Sequence, residues 1–461
     1  MSHKESLRGG RLTMKVAKFG GSSVANATQI KKVANIIKDD QERKFIVVSA
    51  PGKRTKDDVK ITDLLIELGT AYVEKQPYEP SLEKIVKRYE EIISELGLST
   101  ALLTDIKDAL LTTIHSNEPD AVKLDALKAN GENSSAKIVS AYLNKIGLPA
   151  TYLNPKDAGI IVSNEPGNAQ ILPESFEKIH TLRERDGILV IPGFFGYSKD
   201  GQLTTFSRGG SDITGSIIAA GVKADLYENF TDVDSVYSVN PNIVDNPKDI
   251  PVLTYKEMRE LSYAGFSVFH DEALIPAFKQ KIPVCIKNTN NPSAPGTMIV
   301  SEKKENGNCV VGIASDTNFV SLYVSKYLMN RELGFGRKLL NILEDEEISF
   351  EHAPSGIDDM SVIISEDELP KEKEERVIQR INDELDVDQI DIRRNLAMIM
   401  VVGEGMKSTV GMTKLATNAL ADAGVNIEMI NQGSSEVSMM FGIDAADVDR
   451  AIQYLYRSFF E

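Results

Sequence analysis

The sequence predicts an α/β protein in which a mostly parallel sheet lies between helices and is followed by two ferredoxin-like units, one nested in the other. Short apolar runs, typical of strands buried on both faces, alternate with stretches of helical periodicity. Glycine turns connect two of these strands to helices, an arrangement found in open parallel sheets. The last third of the chain contains an internal repeat of strands and helices, which indicates the ferredoxin-like units.

Length, composition and charge narrow the class of protein. At 461 residues the chain is long enough for two or three domains, and its hydrophobic fraction of 42% is sufficient for packed cores. The 68 acidic residues exceed the 52 basic residues, which gives a net charge of −16. This charge disfavours nucleic acid or an anionic membrane as a partner. A small anion remains an acceptable ligand, because a local pocket can be basic on an acidic surface.

Cysteine content and hydropathy indicate a cytoplasmic protein. Cys285 and Cys309 are the two cysteines and form no metal-like pair, which argues against a disulfide scaffold or a zinc site and fits a reducing compartment. No apolar run approaches the roughly 20 residues of a membrane helix. Residues 1–13 lack the apolar core of a signal peptide, so we interpret them as a disordered extension or tag, with Met14 as the expected natural start.

The first predicted unit is a strand at Lys15–Phe19, a glycine turn and a helix over 30–37. The turn is Gly20-Gly21-Ser22-Ser23, and Lys18 stands just before it. Backbone N–H groups at such a turn suit a phosphate, and a lysine beside them adds a positive charge. The alternative is that Lys18 is an ordinary lysine at a strand end.

The next predicted elements are a buried strand at Phe45–Ser49 and a helix beginning near Ile61. Thr62 either caps that helix or contacts substrate, and capping is the simpler interpretation. Packing helices fill 81–130, and a further helix is predicted from Gly131 to Leu143. The helix dipole alone would favour Glu132 in the first turn of that helix.

The central prediction is the strand, turn and helix of Thr204–Gly221, which follows a buried strand at 187–192. Gly209 and Gly210 permit a sharp turn, and Ser211 or Asp212 is expected to cap the helix. Arg208 adds a planar cation that matches a carboxylate or phosphate. An anion site and a plain helix start are both compatible with this pattern.

Acids and hydroxyls then follow a strand over 225–230, at the end of the strand where open α/β sheets carry their ligands. Asp232 and Asp234 lie there, and both are also typical turn residues. The last clear strand of the sheet is predicted at Ile282–Lys287. The polar stretch 288–296 that follows is predicted to leave the domain.

The last third of the chain carries the repeat. The first copy is predicted as strand, helix, strand, strand, helix and strand at 318–326, 335–346, 348–352, 360–365, 369–385 and 389–394. The second copy is predicted as strand, helix, strand, strand and helix at 396–402, 410–422, 426–432, 436–443 and 445–459. That copy lacks one strand, which Val310–Ala314 can supply from before the first copy. The first unit is therefore expected to be inserted within the second.

Three motifs carry a resemblance to a known family. They are KFGGSSV at Lys18–Val24, TTFSRGGSD at Thr204–Asp212 and NFTDVDSVYSVNP at Asn229–Pro241. With the paired C-terminal units, they resemble the aspartokinases, which belong to the amino-acid kinase family and carry tandem ACT units. The resemblance runs from Met14 to the C-terminus and is strongest to monofunctional, lysine-sensitive members.

The resemblance implies two main regions. An amino-acid kinase catalytic domain is expected at 14–302, and a regulatory region at 303–461. Within that region the first ACT unit is expected at 318–395, and the second at 308–317 plus 396–461.

The implied activity is transfer of the γ-phosphate of ATP, with Mg²⁺, to the β-carboxylate of L-aspartate. The product is 4-phospho-L-aspartate, for lysine, threonine and methionine biosynthesis. Because aspartate brings its own nucleophile, the protein mainly positions groups and neutralises charge. One alternative is a kinase for another acidic amino acid, such as glutamate or acetylglutamate. The other is an amino-acid-sensing protein with a degenerate kinase site.

The resemblance also assigns roles by position. Lys18 is expected to stabilise the transferring phosphoryl group, Asp212 to orient that lysine and the metal-bound phosphates, and Arg208 to bind an aspartate carboxylate. Glu132 is expected to pair with the substrate ammonium group. Further substrate contacts are expected from Thr62, Phe194, Thr205 and Ser211. Nucleotide contacts are expected from Gly20, Gly21, Ser22, Thr231, Asp232 and Tyr237, beside Lys18, and no protein residue is expected to be a dedicated metal ligand.

Four positions depart from the family pattern. Ser207 replaces a usual glycine, which only tightens the turn. Asn242 stands where an arginine commonly meets ATP phosphates. Ser267 replaces a frequent nucleotide-binding lysine, and Asp271 replaces a proline. Loss of two cations is expected to weaken ATP binding unless another base compensates, and these positions keep the sensor alternative open.

The ACT units imply feedback by a pathway amino acid at an interface between subunits. The effector loop is expected to include Met329, Gly334, Phe335 and Gly336, and Glu351 is expected to receive the effector's amine. Lysine is the first expectation for the effector, and threonine, alone or together with lysine, is the alternative. Pairing of ACT units predicts at least a homodimer, with a homotetramer as the larger option.

Overall fold

The computed structural model describes residues 13–207, 209–266, 272–303, 309–433 and 437–461. These fall into two compact units. The first lies within 1–236, 249–258 and 268–303, and the second within 237–248, 259–267 and 304–461. Of the predicted N-terminal extension, residues 1–12 lie outside the described residues.

The strands of the first part of the chain are short and mostly buried. They are β1 Lys15–Phe19, β2 Arg43–Val48, β3 Ala150–Tyr152, β4 Ile188–Pro192, β5 Phe195–Tyr197, β6 Leu203–Thr205, β7 Leu226–Thr231, β8 Val236–Tyr237, β9 Asp249–Ile250, β10 Val252–Thr254, β11 Val284–Asn288 and β12 Thr297–Val300. Within the described ranges, eight of these strands form one sheet in the order β10-β12-β11-β7-β1-β2-β4-β3. All neighbours pair in parallel except β11 and β12. The predicted mostly parallel sheet is therefore confirmed.

Helices accompany this sheet. They are α1 Ala27–Lys38, α2 Ile61–Val73, α3 Glu79–Glu95, α4 Ala101–Ile114, α5 Asp120–Lys145, α6 Pro155–Ala158, α7 Glu174–His180, α8 Gly210–Val222, α9 Tyr255–Tyr263 and α10 Ile275–Lys279. Apolar residues of α1 to α5 form one core with the inner strands. None of the helices in the described ranges combines the length and apolar character that a bilayer span requires.

Two predictions about this unit are wrong. The stretch 288–296 joins β11 to β12 as a turn, because the chain returns to the sheet as one further, antiparallel strand. A polar, proline-rich stretch has the same composition in a turn and in a linker. The helix predicted to start at Gly131 is the middle of α5. Gly131 marks close packing there, since a Cβ on it would lie 2.7 Å from the Ala50 Cβ.

The second unit contains one five-stranded antiparallel sheet within the described residues, in the order β14-β13-β15-β17-β16. Its strands and helices are β13 Gly312–Ser325, α11 Phe335–Asp345, β14 Asp359–Ser365, α12 Lys371–Leu385, β15 Gln389–Val402, α13 Met412–Asp422, β16 Met429–Asn431, β17 Ser438–Asp444 and α14 Val448–Phe460. Helices α11 and α12 share a core with one end of the sheet, and α13 and α14 share a core with the other. The nested pair of units therefore shares one sheet.

Strands β13 and β15 each join two strands that the sequence predicted separately. The joins lie at Asn318 and Asn395, which have φ angles of 78° and 62°. Asparagine tolerates this left-handed conformation better than most residues, so the chain changes register without ending the strand. The strand predicted at 348–352 is wrong, since that segment makes an isolated bridge between His352 and Ile363.

Candidate active site

The residues predicted for catalysis gather where parallel strands end. Strands β1, β2, β4, β7 and β11 run in the same direction, so their carboxyl ends meet at one edge of the sheet. The first glycine turn follows β1, and Thr231 ends β7 at that edge. Ligands of open α/β sheets bind at this edge.

Lys18 and Asp212 form a close ion pair at this edge. Lys18 Nζ lies 2.6 Å from Asp212 Oδ1, and Lys18 is 6% exposed. Lys18 belongs to β1, whereas Asp212 lies in the first turn of α8. The two predicted strand, glycine turn and helix units therefore meet at one pair of opposite charges, which offsets the cost of burying the ammonium group.

Asn229 and Tyr227, for which no role was predicted, hold Asp212 in place. The Asn229 side-chain amide donates to Asp212 Oδ1, the atom that also accepts from Lys18. The Tyr227 hydroxyl donates to the Asp212 backbone carbonyl over 3.2 Å. Burial holds the Tyr227 pKa well above its usual value, so the hydroxyl remains a donor. Their alternation on β7 was the available signal, because residues two apart face the same side of a strand.

The second glycine turn places the start of α8. Its N-cap is Gly209, with a φ of 74° and no side-chain cap. The prediction that Ser211 or Asp212 caps this helix is therefore wrong, because the Asp212 carboxylate pairs with Lys18 instead. A Cβ on Gly210 would lie 2.5 Å from a Phe194 ring carbon, so the turn packs closely. Arg208 lies outside the described residues.

The first glycine turn packs against the loop after β2. The Gly20 N–H donates to the Phe230 carbonyl over 3.0 Å, and the Gly52 N–H donates to the Gly21 carbonyl over 2.8 Å. A Cβ on Gly52 would lie 2.7 Å from the Gly21 carbonyl carbon. Ser22 is half-buried in the short 3₁₀ helix that follows. Backbone rather than side chains thus lines this part of the edge, as close approach of a phosphate requires.

Glu132 is a buried carboxyl group with unused hydrogen-bonding capacity. It is 5% exposed, and within the described residues its Oε2 has no hydrogen-bond partner. Burial raises its pKa to about 7, although hydrogen bonds from the Ala50 N–H and the Ser211 hydroxyl act in the opposite direction. A cation that binds beside this carboxyl group would stabilise its charged form and would supply the missing hydrogen-bond donor.

Three further residues predicted to contact substrate lie on separate segments of the chain. Thr205 ends β6, is fully buried and has a hydroxyl without a partner among the described residues. Phe194 follows β4, where its N–H donates to the Thr214 hydroxyl over 3.0 Å. Thr62 is half-buried in the first turn of α2. Capping by Thr62 is wrong, because the N-cap is Lys60 and the helix has no side-chain cap.

The predicted nucleotide residues divide between the two units. The Thr231 hydroxyl donates to Asp232 Oδ1 over 3.1 Å, and the Asn288 side chain donates to the Asp232 carbonyl over 3.2 Å. Tyr237 ends β8 in the second unit, where Asn242 is exposed. The substituted positions 267 and 271 lie outside the described residues.

The predicted effector loop lies beside the amino end of α11. Met329 is 7% exposed in a short 3₁₀ turn, and Gly334 is the N-cap of α11 with a φ of 81°. Phe335 is buried, and a Cβ on Gly336 would lie 3.6 Å from the Met360 sulfur.

Glu351 precedes β14 in the sequence and lies beside Ile363 of that strand. Its N–H donates to the Ile363 carbonyl over 2.8 Å, whereas the effector loop lies nearer the Met360 end of β14. The Glu351 carboxylate accepts a hydrogen bond from the Tyr263 hydroxyl. The structure therefore gives Glu351 a polar partner on the segment 259–266 of the same unit.

Comparisons with known proteins agree with this geometry. The model of the amino acid kinase family matches residues 13–288, and an ACT domain model matches residues 399–459. Aspartokinase 3 of Bacillus subtilis is 56% identical over 448 residues, which covers 97% of this chain and 99% of that protein.

Solved structures are similar over the same length. Aspartate kinase of Clostridium acetobutylicum is 41% identical, with a TM-score of 0.85 over 97% of this chain and 100% of that chain. E. coli aspartokinase III was solved with aspartate and ADP at 23% identity and a TM-score of 0.79, and with lysine and aspartate at 24% and 0.75. Each covers 97% of this chain and 100% of its own, and at this identity each supports the fold alone. The chain belongs to the amino acid kinase family and, within it, to the aspartokinases.

Proposed function

We propose that this chain is an aspartate kinase that transfers the γ-phosphoryl group of ATP to the β-carboxylate of L-aspartate. The oxygen of the carboxylate forms a bond to phosphorus, and the bond between phosphorus and the bridging oxygen of ADP breaks. The products are 4-phospho-L-aspartate and ADP. The observation that carries the proposal is the Lys18–Asp212 pair, which lies where two glycine turns meet at the carboxyl edge of the sheet.

Lys18 supplies the charge that the moving phosphoryl group needs. Lys18 lies just before the Gly20–Gly21 turn, and a Cβ added to Gly20 would lie 3.6 Å from the Lys18 ammonium nitrogen. The turn would therefore bring backbone close to a phosphate group held by Lys18. Asp212 holds that ammonium group in one position before the nucleotide binds, and Asn229 in turn holds Asp212. Catalysis then comes from positioning and charge stabilisation, because the substrate brings its own nucleophile.

Glu132 would recognise the ammonium group of aspartate. Its oxygen without a partner in the described residues is buried, so a bound cation would both neutralise and hydrogen-bond it. Thr205 and Ser211 lie on elements that begin or end at the same edge of the site. Arg208 would bind a carboxylate group of aspartate, as the resemblance implies.

The nucleotide side would use Thr231, the last residue of β7, and Asp232, which follows it. Mg²⁺ carried by ATP would neutralise part of the charge of the phosphates. Asp212, which pairs with Lys18, would orient the metal-bound phosphates, as the resemblance implies.

Regulation and assembly are proposed for the second unit. Lysine is the proposed effector, with threonine as the alternative, bound near Met329, Gly334–Gly336 and Glu351. ACT units would pair between subunits to give a homodimer or homotetramer. We place the reaction in the cytoplasm, where the two cysteines would stay reduced and ATP and aspartate are available.

The decisive test is ATP-dependent trapping of the acyl phosphate as a hydroxamate. L-aspartate is compared with L-glutamate and N-acetylglutamate, each with and without lysine or threonine. The expected result is ATP-dependent turnover with L-aspartate and with neither of the other two acids, and suppression of that turnover by lysine. Turnover with another acid would change the assigned substrate. Absence of turnover with every acid, together with clear lysine binding, would instead identify an amino-acid sensor.

A further inference from the structure

Asp125 is a buried carboxylate for which neither the motifs nor the proposed chemistry has a use. It lies on α5, seven residues before Glu132, and is 2% exposed. Seven residues are almost two helical turns, so Asp125 and Glu132 lie on the same face of α5, about 10 Å apart along its axis. A buried carboxylate needs strong hydrogen-bond partners to be tolerated.

The partners of Asp125 are backbone groups from two other segments. Its Oδ2 accepts from the Thr205 N–H and from the Gly167 N–H, both over 2.8 Å. Its Oδ1 lies 2.7 Å from Lys128 Nζ on the next turn of α5. One side chain therefore joins α5, the carboxyl end of β6 and the loop around Gly167.

The loop and the strand are also joined directly to each other. The Ala169 N–H donates to the Thr205 carbonyl over 3.0 Å, so both backbone groups of Thr205 are held. The next residue, Phe206, donates its N–H to the Phe194 carbonyl over 2.8 Å. The chain then enters the turn that leads to Ser211. The backbone of Thr205 and Phe206 is thus held by other segments just before this turn.

We propose that Asp125 is a positioning residue for the substrate side of the active site. It holds the end of β6 against α5, and so sets the separation of Glu132 from Thr205 and Ser211, the residues that together would receive aspartate. This inference rests on the proposed function. It extends the site to a side chain that does not touch the substrate.

A carboxylate suits this position better than an amide does. One oxygen accepts two N–H groups while the other accepts from the Lys128 ammonium group, so both oxygens act only as acceptors. Asparagine keeps one acceptor for the two N–H groups but turns an NH₂ donor toward Lys128. Alanine leaves the buried Thr205 N–H without a partner.

These differences predict an order of effects. Asp125→Ala is expected to raise the KM for L-aspartate at least tenfold, and Asp125→Asn to raise it by a smaller factor. The KM for ATP is expected to change less than twofold in both variants. The proposed nucleotide residues Thr231 and Asp232 lie at the end of β7 and not of β6. A role in stability alone would move neither KM selectively.

The matched control is Asp40→Ala. Asp40 likewise accepts from a backbone N–H, that of Glu42 over 3.0 Å, and from a lysine, Lys15 Nζ over 2.7 Å. Lys15 begins β1, so this carboxylate lies at the amino edge of the sheet, away from the site. Asp40→Ala is expected to leave both KM values within twofold of the parent values.

The experiment measures steady-state kinetics of the full-length chain by hydroxamate trapping, with thermal stabilisation by L-aspartate and by MgATP as a second readout. The parent must first turn over aspartate, since a parent that does not would refute the proposed function and not the role of Asp125. A selective rise in the KM for aspartate, with stabilisation by MgATP retained, supports the inference. An unchanged KM for aspartate in Asp125→Asn and Asp125→Ala overturns it. If the alanine variant does not fold, Asp125→Asn decides by the same two criteria.

Discussion

Lys18 Nζ and Asp212 Oδ1 lie 2.6 Å apart although 194 residues separate them in the sequence. The contact exists because β1 and β7 are neighbours in the sheet and α8 precedes β7, so its amino end reaches the carboxyl end of β1. In the register of the sheet, Lys18 pairs with Asn229, the residue that also donates to Asp212. Three side chains from two strands and one helix thus form a single hydrogen-bonded cluster around Asp212.

Replacement of Lys18 tests this group first. Lys18→Ala is expected to lower kcat by about 10³-fold, because it removes a preorganised charge at the phosphoryl group. Amino-acid effector binding should survive, since the residues proposed to bind the effector belong to the other unit. Steady-state kinetics and calorimetric titration with lysine measure the two effects. Lys15→Ala is the control, since Lys15 is on the same strand and pairs with Asp40 at the opposite edge. Turnover of Lys18→Ala near the parent level would remove Lys18 from the mechanism.

Glu132 should give substrate binding a pH dependence. Burial raises its pKa to about 7, so the carboxyl group loses its proton as the pH rises from 6 to 8. The charged form binds an ammonium group more strongly, and the KM for aspartate is therefore expected to fall over this range. Glu132→Gln should raise that KM at pH 8 by about tenfold or more and remove its pH dependence. An identical pH profile in parent and variant would show that Glu132 does not bind the ammonium group.

The Glu132 carboxyl group should also make the stability of the fold depend on pH. As the pH rises, substrate binding should strengthen while the free energy of unfolding decreases. Its pKa is higher in the folded protein, about 7, than the usual 4.5, so the unfolded chain releases the proton first as the pH rises. The free energy of unfolding is then expected to decrease between pH 4.5 and 7, by roughly 3 kcal/mol from this group. In Glu132→Gln, the free energy of unfolding should decrease less over this range than in the parent. Thermal unfolding of both proteins at pH 5 and pH 8 would measure the difference. A decrease of equal size in the variant would contradict the assignment.

A separate prediction concerns the contact between the first glycine turn and Gly52, which lies in the loop after β2. A Cβ on Gly52 would lie 2.7 Å from the Gly21 carbonyl carbon, so Gly52→Ala must move the first turn. A displacement near 1 Å in a site of this kind costs about 100-fold in rate, and kcat/KM for ATP should fall by that order. Gly147→Ala is the comparison, because it has a φ of 83° and no atom within 4 Å of its added Cβ. It should lower the melting temperature through backbone strain alone and keep its activity. Equal kinetics in the two variants would exclude a role for the loop contact.

The proposed effector role of Glu351 can be tested together with its hydrogen bond from the Tyr263 hydroxyl. Glu351→Ala is expected to raise the lysine concentration at half-inhibition by about tenfold or more, because it removes a charged partner for the effector's amine. Tyr263→Phe is the informative companion, since it removes the hydroxyl that Glu351 accepts from and keeps the carboxylate. Its half-inhibition value should stay closer to the parent value than that of Glu351→Ala. Inhibition curves, each scaled to the variant's own uninhibited rate, give the answer. Unchanged inhibition in Glu351→Ala would remove this residue from the effector site.

Local patterns predicted much of the architecture. The strands at 15–19 and 188–192, the glycine turns and the alternation with helices follow from periods of 2 and 3.6 residues and from turn chemistry, which act over short distances. The same patterns located Lys18 and Asp212 at strand and helix ends. They misplaced the start of α5, because Gly131 has the same local signature whether it breaks a helix or permits close packing against Ala50.

The sequence by itself therefore determined the fold class, the nested repeat and the two glycine turns, since each depends on neighbouring residues. The tertiary structure alone decided that Asn229 holds Asp212, that Asp125 binds the end of β6, and that β13 and β15 run through both regulatory units. These contacts depend on strand order and register, which bring together residues from distant segments. Periodicity specifies which face of an element is buried, and only the packed sheet specifies which distant side chain that face meets.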